Sequence, residues 1–473
     1  MDFLTSAPIV LISFLSVLCI VVDALTPKSE RITFYFAGFS MLAAMLMAAF
    51  TMPNTGTAFN GMITTGGVAT FFDILFCMGG LLTLFAARPY ILRENVEHDE
   101  FYTLILYAVA GMMVIAHAHN LLITFIGIEI MSVSFYVLAG YFRSNTKSVE
   151  SALKYFLLGA FATGFLVFGM SFLYGSTGTL DYTVMANNIQ SGMINFPMLL
   201  SVGTGLLIVG LSFKMAAFPF HQWVPDVYEG APTVVTGFMS TAGKAASVSA
   251  LMPIAYAIIG ESGHQVAGLL AIIAAGTMLV GNISAVVQQN IKRMLAYSSV
   301  AHAGYILMGF VANNEKGMTG IVYYVTAYLF MQLGAFVLVS LIERNIDKQL
   351  ELRDYAGLSK KHPVIAALMA FFMFSLAGIP PMAGFFGKYY LFIAAIESGY
   401  TWLTIVAVIS SMISVYFYIG LVVQMYFKDA EGEGIDAHQP GLAGLTLTVA
   451  TFFVIALGIM PSTVEQIARS FFK

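Results

Sequence analysis

Polar punctuation cuts this chain into about fourteen apolar spans, each near the roughly 20 residues needed to cross the hydrocarbon of a bilayer. The spans run approximately 3–25, 31–51, 69–88, 100–117, 120–142, 151–175, 198–219, 232–258, 265–288, 295–312, 318–343, 363–379, 401–427 and 441–461. A further stretch, 383–397, belongs to the twelfth span as a second half-helix. Lipid offers no hydrogen bonds, so such spans must satisfy their own backbone, which helices do. The composition agrees, with 59% apolar and 10% charged residues over 473 positions. The expected fold is an all-α polytopic membrane protein lying in the lipid bilayer.

Several function classes fall away at once. A formal charge of −4 provides no basic surface for nucleic acid. Cys19 and Cys77, the only cysteines, both lie in apolar runs. Two such residues cannot build a disulfide framework, a zinc site or an iron–sulfur cluster, so they read as packing residues. No G-x-G-x-x-G follows a strand and no G-x-x-x-x-G-K-[ST] loop occurs, which leaves nothing to bind a dinucleotide or ATP. The run from Phe3 to Ala24 lacks a basic n-region and an A-x-A site, and is expected to be a retained helix.

Four ionisable residues interrupt the apolar interiors: Glu129, Lys214, Lys244 and Lys388. Each costs roughly 2.5–3.5 kcal/mol near the middle of a membrane helix, on the order of 10 kcal/mol together. Charges persist at that depth when they face a bundle interior, pair with one another or line a hydrated path for protons or ions. Burial disfavours an ammonium and a nearby carboxylate favours it, so the spacing of Glu129 and Lys214 would set which protonation state Lys214 holds. Like-charge repulsion would pass that change to Lys244 and on to Lys388. The plain structural reading, in which each lysine caps a separate polar cluster, has to explain four such residues in separate spans.

Of the 21 Lys and Arg residues, 14 fall in loops after odd-numbered spans, among them Lys28, Arg93, Lys147, Lys292, Arg293 and Lys360. Only Lys316, Arg469 and Lys473 fall after even-numbered spans or at the C-terminus. The positive-inside rule then places the odd loops in the cytoplasm and both termini outside.

Two spans are broken alike. Pro219 removes an amide donor one turn after Lys214 and frees the Met215 carbonyl, with Pro225 and Pro232 following. Pro380 and Pro381 free the carbonyls of Leu376 and Ala377, loosened further by Gly378 and Gly384. Paired helix breaks at membrane depth are the trace of an inverted-repeat transporter core. The breaks lie five spans apart, an odd number, so the two five-helix units enter the membrane from opposite sides. The expected organisation is three helices over 1–95, a first repeat over 96–260, an inverted second repeat over 261–430, and a last helix over 431–473.

The segments FPFHQWVPDVYEGAPT (218–233), GNISAVVQQNIKRMLAYSSVAHAGY (281–305) and SLAGIPPMAGFFGKYYLF (375–392) resemble the subunit N family of bacterial NADH:quinone oxidoreductase, respiratory complex I. PDVYEGAPT and the lysine in STAGKAAS point to that family rather than its antiporter-like sisters, and the equivalent subunit of a photosynthetic ferredoxin:plastoquinone complex has nearly the same wording. The resemblance implies a proton-translocating membrane-arm subunit with no cofactor of its own. NADH, flavin, iron–sulfur clusters and quinone would be bound by other subunits. It implies as partners the antiporter-like subunit M and the small subunits K and J, and as location the bacterial inner membrane. It also assigns roles: Glu129 and Lys214 an ion pair, Lys244 the central proton carrier, Lys388 the onward link. A cation/proton antiporter subunit and a free-standing inverted-repeat transporter are the other classes open.

Three further residues join the candidates. His221 follows the first break and His302 lies in the tenth span, and imidazole titrates near neutral pH. Lys154 stands one turn from Glu150 at the start of the sixth span, placed to snorkel, to pair with Glu150 or to feed a proton path. Asp23 and Asp73 lie near span ends and read as interfacial.

Overall fold

A computed structural model describes residues 5–25, 30–94, 96, 98, 100–259, 264–344, 348–430 and 435–472. Lys28 and Lys473, the first residues of the first expected span, and the expected unit boundaries at 95, 260–261 and 431 lie outside the described residues. Three helices come first: α1 (Ala7–Leu25), α2 (Glu30–Thr51) and α3 (Gly67–Arg93). Between α2 and α3 a short antiparallel hairpin, β1 (Gly56–Ala58) with β2 (Ile63–Thr65), turns through Phe59, Asn60 and Gly61, all at positive φ.

The next set is α4 (Glu100–His117), α5 (Leu121–Ala139), α6 (Thr146–Thr177), a short α7 (Tyr182–Gln190) and α8 (Pro197–Met215). Asn120, Asn145 and Asp181 cap α5, α6 and α7 by accepting amide bonds, which explains why these helices start where they do. α8 stops on Ala216 in the left-handed region, and a second segment, α9 (Trp223–Gly230), follows beyond Pro219. The eighth span is one winding path: α10 (Thr233–Phe238), a π-helical turn Met239–Gly243, α11 (Lys244–Ile254) and a second π turn Ala255–Ile259.

The chain continues through α12 (His264–Val286), α13 (Ile291–Ala312) and α14 (Glu315–Ile342). The twelfth span is split into α16 (Pro363–Ala377) and α17 (Ala383–Glu397), after a short α15 (Leu358–Lys361). The split falls where the sequence places it, with Gly378 left-handed at the end of α16. Then come α18 (Thr401–Phe427), α19 (Ala443–Ile459) and α20 (Pro461–Ser470), the last bent by 84° from its predecessor.

Eleven described helices are long and apolar enough to cross a membrane unbroken. Three expected crossings are segmented instead: the eighth by π turns, the twelfth by its break, and the last by its bend at Met460. The protein is a multi-pass membrane protein. α13 and α14 are buried nearly all round and form the centre. α1, α2, α6 and α18 present Phe14, Phe39, Phe161 and Met412 outward, as lipid-facing helices do.

The basic loops gather at one end of the bundle, where Arg93 donates to the Ser340 carbonyl and Arg293 bonds Asp226. Two sequence readings need correction. Lys292 is not a loop cation: it sits in the first turn of α13, buried, because its ammonium reaches the Ala231 carbonyl (2.8 Å) and faces Glu343 at 4.0 Å. Asp73 is not interfacial: the hairpin roofs this end of α3, and the side chain is enclosed against His117.

Candidate functional site

The first lysine stands at a helix end. Lys214 lies in the last turn of α8, where a cation suits the exposed carbonyls of the helix terminus. Its ammonium donates to Ser132 Oγ (2.8 Å) and Tyr136 OH (3.4 Å) on α5. Glu129, Ser132 and Tyr136 share one stripe of α5, being three and seven residues apart. Glu129 turns aside to accept from Thr163 Oγ1 on α6 at 2.8 Å. No direct Glu129–Lys214 ion pair forms among the described residues, in contrast to what the sequence resemblance implied, because two hydroxyls take the lysine and a third takes the carboxylate.

α11 connects the first lysine to the second. Ser247 Oγ donates to the Lys214 carbonyl at 3.2 Å, and one turn earlier Lys244 opens α11 directly after the π turn. Lys244, 4% exposed, donates to Ser299 Oγ (2.6 Å) and to the Ser299 carbonyl, with its Nζ 5.5 Å from the Tyr328 ring centre.

α13 runs from there to the third lysine. Ser298, His302 and Tyr305 recur at helical spacing along it. His302 Nδ1 meets Tyr324 OH at 2.6 Å and Nε2 meets Tyr418 OH at 3.1 Å, and Tyr418 also bonds Ser298. The His302 ring packs 4.9 Å from that of Tyr328. Tyr305 lies below Lys388, whose Nζ is 4.9 Å from its ring centre. From Ser299 to Tyr305 is six residues, about 9 Å at 1.5 Å per residue.

Lys388 is held by the helix break itself. Its ammonium donates to the carbonyls of Ala377 (2.9 Å) and Leu376 (3.4 Å), and to Ser411 Oγ (2.8 Å). Those two carbonyls are the ones Pro380 and Pro381 leave without amide donors. The first break works differently. Met215 ends α8, the Phe218 amide donates to Thr277 Oγ1 (2.9 Å), and Trp223 Nε1 donates to the Phe213 carbonyl (3.2 Å). The Phe218–Pro219 and Pro380–Pro381 peptides are both cis.

Hydroxyl partners matter chemically. A serine or tyrosine OH accepts from an ammonium and donates to a neutral amine, so it can serve either protonation state. A carboxylate in direct contact would hold the proton on the lysine. The arrangement is suited to lysines that take up and give up protons.

The remaining candidates divide. His302 is built into the network between Lys244 and Lys388. His221 is not: its ring stacks on Phe218 at 6.0 Å, and its buried Nδ1 meets no hydrogen-bond partner among the described residues. Lys154 is 39% exposed and bonds Glu150 (2.6 Å) and Asp226 (2.9 Å), so it belongs to a surface cluster. Arg293 completes that cluster on Asp226 (2.9 Å) and Glu229 (2.8 Å), with Lys147 on Glu229 (3.0 Å), around a cavity of about 210 Å³.

Sequence reasoning missed the hydroxyls. The pattern E-x-x-S-x-x-x-Y over 129–136 and the Tyr324/Tyr328 pair one turn apart were legible, but which lysine or histidine each hydroxyl meets is set by packing between helices and leaves no local trace. It also missed the Lys292–Glu343 pair, whose carboxylate accepts from Tyr90 OH (2.9 Å) and Thr233 Oγ1 (2.6 Å).

Comparison with known proteins supplies the context. Residues 118–414 match the family model described as NADH:quinone oxidoreductase/Mrp antiporter, TM. NADH-quinone oxidoreductase subunit N 1 of Chloroherpeton thalassium is 43% identical over 98% of this chain and 96% of its own. Subunit N of Trichlorobacter lovleyi is 42% identical over 98% of this chain and 96% of its own. Among solved structures, a chain of respiratory complex I from Thermus thermophilus with bound aureothin superposes with a TM-score of 0.83 at 31% identity, covering 98% of this chain and 99% of that one. A chain of the Mrp complex from a Dietzia species, at 20% identity and a TM-score of 0.87 over 100% of this chain and 97% of that one, shares the fold.

Proposed function

This chain belongs to the subunit N family of NADH-quinone oxidoreductases, within the wider NADH:quinone oxidoreductase/Mrp antiporter family, and from that membership we propose that it moves protons through the membrane along Glu129, Lys214, Lys244 and Lys388. The protein works as a member of a larger complex, coupling electron transfer from NADH to quinone to proton translocation. The observation that carries the reading is that all three lysines rest on hydroxyls and carbonyls, with His302 and its tyrosines filling the interval between Lys244 and Lys388.

Movement of Glu129 toward or away from Lys214 changes that lysine's hold on its proton. The altered charge shifts the proton affinity of Lys244 in the opposite sense, and then that of Lys388. His302, Tyr324 and Tyr418 offer a hydrogen-bonded route for the proton itself. Redox chemistry belongs to other subunits, which would hold flavin, iron–sulfur clusters, NADH and quinone. Subunits M, K and J are the proposed neighbours, and the bacterial inner membrane is the proposed location. The two five-helix units over 96–260 and 261–430 are proposed to be related by inversion, a reading supported by the left-handed caps at Ala216 and Gly378.

The test is Lys244→Arg in the assembled complex. Guanidinium keeps the charge but stays protonated at any reachable pH, so it cannot release a proton. Proton pumping is expected to fall by about a hundredfold, the scale of losing a proton-transfer group, and nearly as far as in Lys244→Ala. Near-normal pumping by the arginine variant would make Lys244 a fixed charge and end its role as carrier.

A further inference from the structure

Asp73 and His117 meet at the hairpin end of α3 and α4, outside the stretch matched by the family model and apart from the lysine row. Both side chains are fully enclosed. His117 Nε2 lies 2.7 Å from Asp73 Oδ2, and Nδ1 lies 2.6 Å from the carbonyl oxygen of Thr64 in β2. A carbonyl only accepts, so Nδ1 must carry hydrogen. An ionised carboxylate also only accepts, so the Nε2–Oδ2 contact needs one proton, whether on the imidazole or on the carboxyl. Without it, a lone pair would face a carboxylate at hydrogen-bond distance. Asp73 Oδ1 has no partner among the described residues, so nothing else would offset that charge.

The geometry points to a proton-binding site: Asp73 and His117 share one proton, and while they hold it the pair fastens the β1–β2 hairpin to the helix bundle. Among the described residues the hairpin is also tied by the His119 amide to the Met62 carbonyl (3.0 Å), by Thr64 Oγ1 to the His117 carbonyl (3.3 Å), and by Ala58 and Ile63 packed in an apolar cluster with Ile9, Val114 and Ile123. Loss of the shared proton sets the pair at odds and releases the inner tie. Few other groups bear on it. Cys77 lies one turn along α3. His119, beyond the end of α4, meets Thr183 and Asp181 near the surface. Glu129 of α5 turns to Thr163 and Lys244 of α11 to Ser299, while Glu315 of α14 pairs with Arg469 of α20.

The experiment is amide hydrogen exchange of residues 56–65 in the intact complex as pH is raised, corrected for base catalysis of exchange. In the wild type, hairpin protection should drop about tenfold or more once the proton leaves. Asp73→Asn places an amide N–H against Nε2 and cannot titrate, so its hairpin should stay protected throughout. His117→Phe should be unprotected throughout. Wild-type protection that does not depend on pH overturns the proposal, as does pH dependence surviving in Asp73→Asn. If neither variant assembles, the wild type decides through infrared bands of isotope-labelled Asp73 and His117 side chains, which show the proton leaving whichever of the two carries it: that change must track the opening of the hairpin, and opening with neither band changed refutes the site.

Discussion

At the scale of single residues, the partners of a charge decide what its removal does. A direct buried ion pair that loses one member typically costs about 3–5 kcal/mol. Lys214 leans instead on Ser132 and Tyr136, and Glu129 on Thr163. Lys214→Ala and Glu129→Ala should therefore cost only about 1–3 kcal/mol of stability, the scale of buried hydrogen bonds, and leave the complex assembled. Coupled electron transfer should nonetheless fall sharply in both, as measured by quinone reduction in sealed membranes. Normal turnover with normal pumping in the two variants would remove this pair from the mechanism. Ser299 offers a finer test. Ser299→Ala leaves Lys244 with the backbone carbonyl alone and takes away the group able to donate to a neutral amine, so pumping should drop while Ser299→Thr restores it.

At the scale of elements, the second helix break doubles as a lysine socket. Gly378, at φ 86, ends α16, and a Cβ placed there would stand 3.2 Å from Lys388 Nζ and 3.1 Å from its Cδ. Gly378→Ala should cost about 1–2 kcal/mol for the left-handed backbone and also displace the ammonium from its carbonyls. Pumping is expected to suffer more than protein level, read from activity per assembled complex. Pro380→Ala restores an amide that competes with Lys388 for the Leu376 carbonyl, and should act in the same direction. Equal pumping in both variants and the wild type would reduce the break to a packing detail.

At the scale of the whole molecule, helix number, the broken twelfth span and the shared face of the basic loops were legible, because apolar length, proline and charge each act locally along the chain. Partners across helices were not. Lys292 was counted as a loop cation because only the fold brings Glu343, more than fifty residues away, against it. Asp73 read as interfacial because the hairpin that covers it leaves no apolar trace. Loop charge also predicts sidedness. A single reactive cysteine at Lys360 should label only from the cytoplasm, and one at Asn60, in the exposed hairpin turn, only from outside, as read in vesicles of opposite orientation. Labelling of both from one side would overturn the topology.

The π turn Met239–Gly243 holds one residue more than an α turn would. That surplus gives the eighth span slack that a regular helix lacks. Sliding the wide turn along by one position exchanges hydrogen bonds instead of forfeiting them, and it swings each residue it passes by about 100° for an advance of about 1.5 Å. Lys244 is the next residue in its path. A span built this way resembles a screw with one loose thread, able to present the same ammonium toward Ser299 or away from it without moving the rest of the helix.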